Sequence, residues 1–263
     1  MLIDRTIFSS CLFLCSSLAA AGTMGVSSET PTDLHAVLTV QGGYASINSN
    51  GHVQRFMGPD STLFNYSPSD TKNNKGFVGL FVGVEHIVPT LLSYPALVQA
   101  GVEYNAFGQE TIKGLNTVGV DASSSTQYTY QYKVKTQQIL GDIKLLTTVH
   151  ELFHPYLEAG LGIAINDANT YHASTTETGS LNLTPTLANQ GSIRTSYILG
   201  LGLDANLNKH VRVGLGYRYS YFGAASLGNG SIAVGTNQTP GFFNVQTSGL
   251  YANQLIAHAS LIF

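Results

Sequence analysis

The chain has 263 residues, of which only 10% are Asp, Glu, Lys or Arg, with 12 basic and 15 acidic residues and a net charge of −3. Soluble domains carry about a quarter charged residues, so this surface is poorly dressed for water, and the slight negative balance gives no reason to expect a nucleic-acid partner. After the first segment no run of eighteen apolar residues occurs, which excludes transmembrane helices and leaves a closed barrel as the spanning structure able to pair every backbone group in lipid.

Residues 1–21 read as a cleaved secretory signal: Arg5 is a thin basic start, Ile7 to Leu18 is too short to span, and Ala19, Ala20 and Ala21 offer a small-residue cleavage site. Both cysteines, Cys11 and Cys15, lie inside it. Cys15 follows Leu14 and Cys11 has almost no apolar run ahead of it, so lipidation is not expected. The remaining chain then has no disulfide, no thiolate metal ligand and no cysteine nucleophile. Residues 22–33 are expected as a periplasmic lead and 34–263 as an outer-membrane β-barrel.

Eight segments alternate with the period of two that places successive side chains on opposite faces of a sheet. The first, Leu34 to Asn48, sets Leu38, Val40 and Tyr44 against Thr39, Gln41 and Gly43. The second, Gly76 to Ile87, sets Val78, Leu80, Val82 and Val84 against Phe77, Gly79, Phe81, Gly83 and Glu85. Tyr94 to Gly108 opposes Val98, Val102 and Tyr104 to Gln99, Glu103 and Asn105. The fourth, Thr126 to Thr148, changes hydrophobic phase near Lys135, which predicts a β-bulge there; beyond it Ile139, Ile143 and Leu145 oppose Gln138, Asp142 and Lys144. Tyr156 to Asn166 and Ser192 to Leu207 follow, with Glu158, Arg194 and Asp204 on their polar faces. The seventh, His210 to Gly223, sets Leu215, Tyr217, Tyr219 and Tyr221 against Arg212, Gly214, Gly216 and Arg218. The last, Tyr251 to Phe263, sets Leu255, Leu261 and Phe263 against Gln254, His258 and Ser260.

Short links near residues 88–93, 149–155 and 207–209 alternate with long polar stretches near 49–75, 109–125, 167–191 and 224–249. That asymmetry predicts an all-β, eight-stranded antiparallel up-and-down transmembrane barrel with short periplasmic turns. Its polar faces form a narrow lumen. Glu85, Glu103, Asp142, Glu158 and Asp204 are expected there with Lys144, Arg194, Arg212, Arg218 and His258. Desolvating such charges unpaired is costly. Arg194, Arg212 and Arg218 should therefore pair with Glu103, Asp142, Glu158 or Asp204, helped by Gln41, Gln99, Gln138 and Gln254. Tyr44, Tyr104, Tyr128, Tyr130, Tyr132, Tyr197, Tyr219 and Tyr221 are expected in an outer aromatic girdle, near Tyr251.

Two motifs suggest chemistry. His150, Glu151 and His154 fit the HExxH spacing of zinc proteases. That chemistry needs a helix, whereas here a strand end precedes the motif, Pro155 follows it, and Glu177, a conceivable third ligand, lies in a loop on the opposite rim; it reads as a chance match in a turn. His258 and Ser260 stand two apart on one strand, weakly similar to the arrangement of barrel lipid A deacylases, but near the periplasmic end and with no acid following. Neither a cofactor nor a metal is expected.

A signal sequence, eight alternating segments, unequal loops and a terminal strand finishing on Phe263 resemble the small outer-membrane β-barrel proteins that include the opacity-protein-like surface antigens and the OmpA transmembrane domain. The resemblance implies lipid and lipopolysaccharide neighbours, insertion by the barrel assembly machinery with Phe263 as its signal, and a monomer. It leaves three functions open: a non-enzymatic surface protein or adhesin acting through its loops on host or cell-surface molecules, a narrow channel or carrier for small solutes, and a lipid A-modifying enzyme. On the first reading the loops are mobile, and Phe242 and Phe243 are the expected contacts, because adjacent exposed aromatics in a Gly-rich loop otherwise invite aggregation; Phe56, Leu63 and Phe64 are the other apolar anchors.

Overall fold

The structure is a computed structural model that describes residues 34–58, 61–91, 94–119, 125–149, 152–175, 185–234, 237–241 and 244–263. Its strands are β1 (Leu34–Asn50), β2 (Gln54–Met57), β3 (Leu63–Pro68), β4 (Thr71–Leu91), β5 (Tyr94–Phe107), β6 (Glu110–Gly119), β7 (Thr126–Thr147), β8 (Phe153–Ser174), β9 (Pro185–Leu187), β10 (Gln190–Asn206), β11 (Val211–Gly223), β12 (Gly230–Val234), β13 (Asn237–Gly241) and β14 (Gly249–Ile262). No helix of the described residues is long and apolar enough to cross a membrane. The expected signal segment and lead, residues 1–33, lie outside the described residues, as do His150, Glu151, Glu177, Phe242 and Phe243.

Eight strands close a ring in the order β1, β4, β5, β7, β8, β10, β11, β14 and back to β1, every pair antiparallel. These are the eight alternating segments of the sequence. Closure leaves no edge strand, which is what lipid demands of a β structure. The ring's outer face carries Val40, Val78, Leu80, Val82, Val102, Ile143, Leu157, Leu161, Leu199, Leu201, Leu215 and Leu255, all exposed. Such a contiguous apolar surface is untenable in water, and it forms a belt. On β8 the outward apolar residues run from Leu157 to Ile165, about 27 Å of strand, or about 21 Å along the normal at the tilt of about 40° that such barrels adopt.

Several strands outrun this belt. β7 and β8 are each 22 residues long, and at the long-loop end their upper halves, with β1, β4 and β10, form a wall that the short strands complete. β6 pairs with β7 from Glu110↔Val134 to Val118↔Thr126, β3 with β6, and β2 with β3. β9, β12 and β13 make a separate three-stranded sheet. Among the described residues the long stretches, expected as mobile loops, are thus largely strand.

The predicted bulge near Lys135 is not in β7. Burial along that strand alternates without a break from Tyr128 to Leu146. The hydrophobic phase reverses because the surroundings do: Tyr128, Tyr130, Tyr132 and Val134 face in and Thr129, Gln131, Lys133 and Lys135 face out above the belt, whereas Gln138, Asp142 and Lys144 face in and Ile139 and Ile143 face out within it. The bulge lies in the partner strand, where Gln131↔His172 is followed by Lys133↔Asn169. One extra residue of β8 is absorbed there at Thr170, whose φ of 56° is left-handed.

Candidate functional site

Within the belt the inward residues of the eight strands meet in a filled lumen. Eight strands enclose space just wide enough for side chains, and glycines on the inner face make room for the large polar ones: a side chain on Gly214 would collide with Asp204 and His258, and one on Gly216 with Tyr156. Three ion-paired groups stack along the axis. Nearest the short-turn end, Arg212 Nη1 lies 2.6 Å from Glu85 Oε2, which also accepts from Gln99 Nε2 at 2.7 Å, while Arg212 Nε donates to Asn206 at 3.0 Å. Next, Asp204 takes Lys144 Nζ on one oxygen and His258 Nε2 on the other, each at 2.8 Å, and Lys144 Nζ sits 3.8 Å from the centroid of the Tyr156 ring. Innermost, Arg218 is fully enclosed and bonds Glu103 at 2.6 Å and Glu158. Gln41 Nε2 donates to Asn105, which donates to Glu103 and Gln138. A void of about 20 Å³ lies among these groups, roughly the room one water requires.

The structure buries Glu85, Glu103, Asp142, Lys144, Glu158, Asp204, Arg212, Arg218 and His258 in the lumen and departs from the sequence reading in four respects. Arg212 pairs with Glu85, an acid not expected as its partner. Arg194 is exposed and forms no ion pair among the described residues; it lies above the belt on β10, its side chain over Gly223, because the polar register continues beyond the membrane where water rather than an acid can solvate it. Asp142 has no ion-pair partner, and its buried Oδ1 accepts no hydrogen bond. Gln138 and Gln254 bond Ser196 and Ser220 rather than the charges.

Above the belt the inside of the wall is apolar. Phe64, Tyr66, Phe77, Phe107, Ile112, Tyr128, Tyr130, Tyr132 and Phe222 are buried in one cluster. Tyr66 packs edge-on to Tyr130 at 5.3 Å, and Phe107 edge-on to Phe222 at 4.8 Å. Tyr128, Tyr130 and Tyr132 therefore belong to this core and not to the girdle. Tyr44, Tyr104, Tyr197, Tyr219, Tyr221 and Tyr251 do line the outer rim; Tyr197 stacks on Tyr221 at 5.2 Å and Tyr219 lies 6.0 Å from Tyr251. Phe64, expected as a loop anchor, is 1% exposed.

The catalytic suggestions take definite form. His258 does have an acid, Asp204, but Ser260 Oγ shares its hydrogen bond with Thr39 Oγ1 at 2.7 Å and not with His258. A His–Asp pair without a nucleophile on the imidazole lacks the relay that acyl transfer requires. His154, the described member of the HExxH match, bonds Thr148 from the first turn of β8, in strand and not in helix. At the short-turn mouth a vestibule of about 590 Å³ is lined by His35, Lys209, His210 and Phe263 among others, and Phe263 is exposed on its rim.

No protein-family model matches this sequence, and no curated protein is similar to it at a significant level. Among solved structures the chain is similar in fold to Neisserial surface protein A, with 12% identity over 87% of this chain and 97% of that one and a TM-score of 0.41. It is likewise similar to the outer membrane protein OprG from Pseudomonas aeruginosa, with 14% identity, 87% and 96% coverage and a TM-score of 0.46. The outer membrane protease OmpT from Escherichia coli gives 9% identity, 92% and 100% coverage and a TM-score of 0.39.

Proposed function

We propose that the protein is a non-enzymatic bacterial outer-membrane barrel that acts through the outer surface of its long-loop end, turned to the cell exterior. The observation that carries this reading is that the barrel is filled at two successive levels, by the charge network within the belt and by the aromatic core above it. A bore closed twice is poorly suited to conduction. What the molecule leaves open is its exterior, and functional contacts concentrate on surfaces that a rigid scaffold holds out.

That exterior has a chemistry. Lys72 on β4, Lys113 on β6, and Lys133 and Lys135 on β7 are exposed on one side of the wall, with Arg55 nearby on β2. Asn73 ties β4 to β6 through Thr111 O at 3.0 Å, which keeps the lysine-bearing strands adjacent. Asp70 and Asp167 are the described acids beside them. Lys135 stands two residues above Gln137, which accepts from the girdle residue Tyr104. The patch therefore begins at the height of outer-leaflet headgroups, and anionic phosphates of lipopolysaccharide fit it. Contact with host or neighbouring cells through the strand-built loops, insertion by the assembly machinery with Phe263 as its signal, and a monomeric state complete the reading.

A second reading, carriage of small apolar solutes, draws on two depressions of about 490 and 530 Å³ in the outer face, lined by Ile143, Ala159, Leu161 and Leu199. Uptake of an apolar dye by vesicles bearing the protein, above that of empty vesicles, would favour the second reading, and planar-bilayer recording tests the closed bore of the first. The refolded protein should show no unitary conductance, and its lipopolysaccharide binding should fall when the four lysines are changed to Gln. Steady conductance steps, or binding untouched by those changes, would overturn the proposal.

A further inference from the structure

The innermost lumen group is out of charge balance. Glu85 has Arg212, and Asp204 has Lys144 with His258. Glu103 and Glu158, by contrast, divide one guanidinium between them, and Asp142 has none of its own. Each of these three acids offers a carboxylate oxygen, and the three oxygens lie within 4.8 Å of one another. They are 1%, 3% and 7% exposed for Glu103, Asp142 and Glu158, so water cannot screen them. With Arg218 they sum to −2 when ionised.

Two further features point to a missing occupant. The buried Asp142 Oδ1 has no hydrogen-bond partner, although buried carboxylate oxygens are seldom left so. The void of about 20 Å³ touches all three acids and Arg218, with Lys144, Tyr156 and His258 completing its wall beside Asp204, and it admits one body of about the size of a water molecule. The hydrogen bonds are unevenly shared: Arg218 and Asn105 take both oxygens of Glu103, Arg218 takes one of Glu158, and Asp142 Oδ1 has no partner. With Lys144 and His258 held by Asp204, the three acids against Arg218 alone keep a deficit of two charges, and their hard oxygen donors around a small void suit a hard divalent cation.

We propose that Glu103, Asp142 and Glu158 bind one divalent cation of the calcium class in the lumen, with Asp142 as its principal ligand and Glu103 and Glu158 bridging it to Arg218. The ion brings the group to neutrality without displacing the guanidinium. Since the Glu85–Arg212 pair and the aromatic core close the lumen on both sides, the ion is acquired as the barrel forms and leaves slowly.

The test uses the full barrel refolded into detergent micelles with calcium or with EDTA, then dialysed free of unbound metal. Elemental analysis of the calcium-refolded protein should give one equivalent of calcium. Terbium(III) refolded in its place should luminesce on excitation of tyrosine, because Tyr156 lines the same void. Asp142→Asn preserves shape and breaks no ion pair; it should keep heat-modifiable migration while binding metal at least tenfold more weakly. Asp167→Asn, an acid outside the lumen, should behave as the unaltered protein. Substoichiometric calcium in the unaltered protein, or undiminished metal in Asp142→Asn, would overturn the proposal. So would equal thermal stability with calcium and with EDTA alongside a more stable Asp142→Asn, since the cluster would then be neutralised by a proton.

Discussion

The lower and upper halves of β7 have the same backbone and opposite clothing. From Gln138 to Lys144 the inward residues are largely polar and the outward ones apolar, and from Tyr128 to Val134 the order is reversed, with no break in the alternation of burial between them. Hydrophobic phase in a strand thus reports which solvent each face meets, and a reversal of phase in a long strand marks the plane where lipid gives way to water. The two halves also hold themselves together differently. Below, the interior depends on charges compensating one another in a confined space; above, on aromatic rings excluding water.

The sharpest way to break this contrast is to unbalance the lower half. Arg218→Met leaves Glu103 and Glu158 buried without their cation, and should lower stability by about 3–5 kcal/mol in urea unfolding from micelles. Adding Glu103→Gln and Glu158→Gln should return most of that loss, whereas an aromatic-core substitution such as Tyr130→Ala should not be rescued by any change of charge. A charge on the outer face should discriminate next. Leu201→Arg, in the belt, should cost about 2–4 kcal/mol, while Thr129→Arg, outward on the upper half of β7, should stay within about 0.5 kcal/mol. Equal effects at the two positions would show that lipid does not stop between them.

Smaller, and peculiar to the upper half, is the behaviour of Glu110. It lies outside the belt, is 1% exposed, and neither carboxylate oxygen is hydrogen-bonded; burial pushes its carboxyl up to about 8, against the opposing pull of Lys75. Between the ordinary carboxylate value of about 4.5 and 8, the folded state holds a proton that the unfolded chain has released. Stability should therefore decline as pH rises across that window and level off above it, and Glu110→Gln should remove a loss on the order of a few kcal/mol. Unfolding of both proteins at pH 5 and pH 8.5 measures it. Least of all should the four exposed lysines matter to the fold: changing Lys72, Lys113, Lys133 and Lys135 to Gln should shift stability by less than about 0.5 kcal/mol each while weakening lipopolysaccharide binding and its salt dependence.

The ring was legible in sequence because each of its strands has one face in lipid, and lipid enforces apolar residues without exception. The same rule placed nine of the ten expected lumen charges inside. Arg194 misled because alternation alone gives a residue's face and not its depth. The short strands were illegible for a related reason: β6, Glu110–Gly119, turns Glu110, Gly114 and Asn116 toward the core along with Ile112 and Val118, so its period of two is hidden by polar residues buried inside. Tyr128, Tyr130 and Tyr132 resemble girdle residues in sequence because a tyrosine at the membrane surface and one in a core have the same alternation, and only the upper half of the barrel wall distinguishes them.

The seam that closes the ring joins β1 to β14 over fourteen residue pairs, from Val37↔Ile262 to Asn50↔Gly249. These partners lie farther apart along the chain than those of any other strand pair in the ring. Loop-closure entropy must be met before such a pairing returns anything, so this seam is the natural last step of assembly. Until it forms, the unfinished sheet presents two open edges at once, each able to recruit a foreign strand. A circular permutant that moves the seam between β7 and β8, whose connection would be cut there and the old ends joined, shifts that exposure to the longest strands of the barrel and should slow insertion while leaving the finished barrel unchanged.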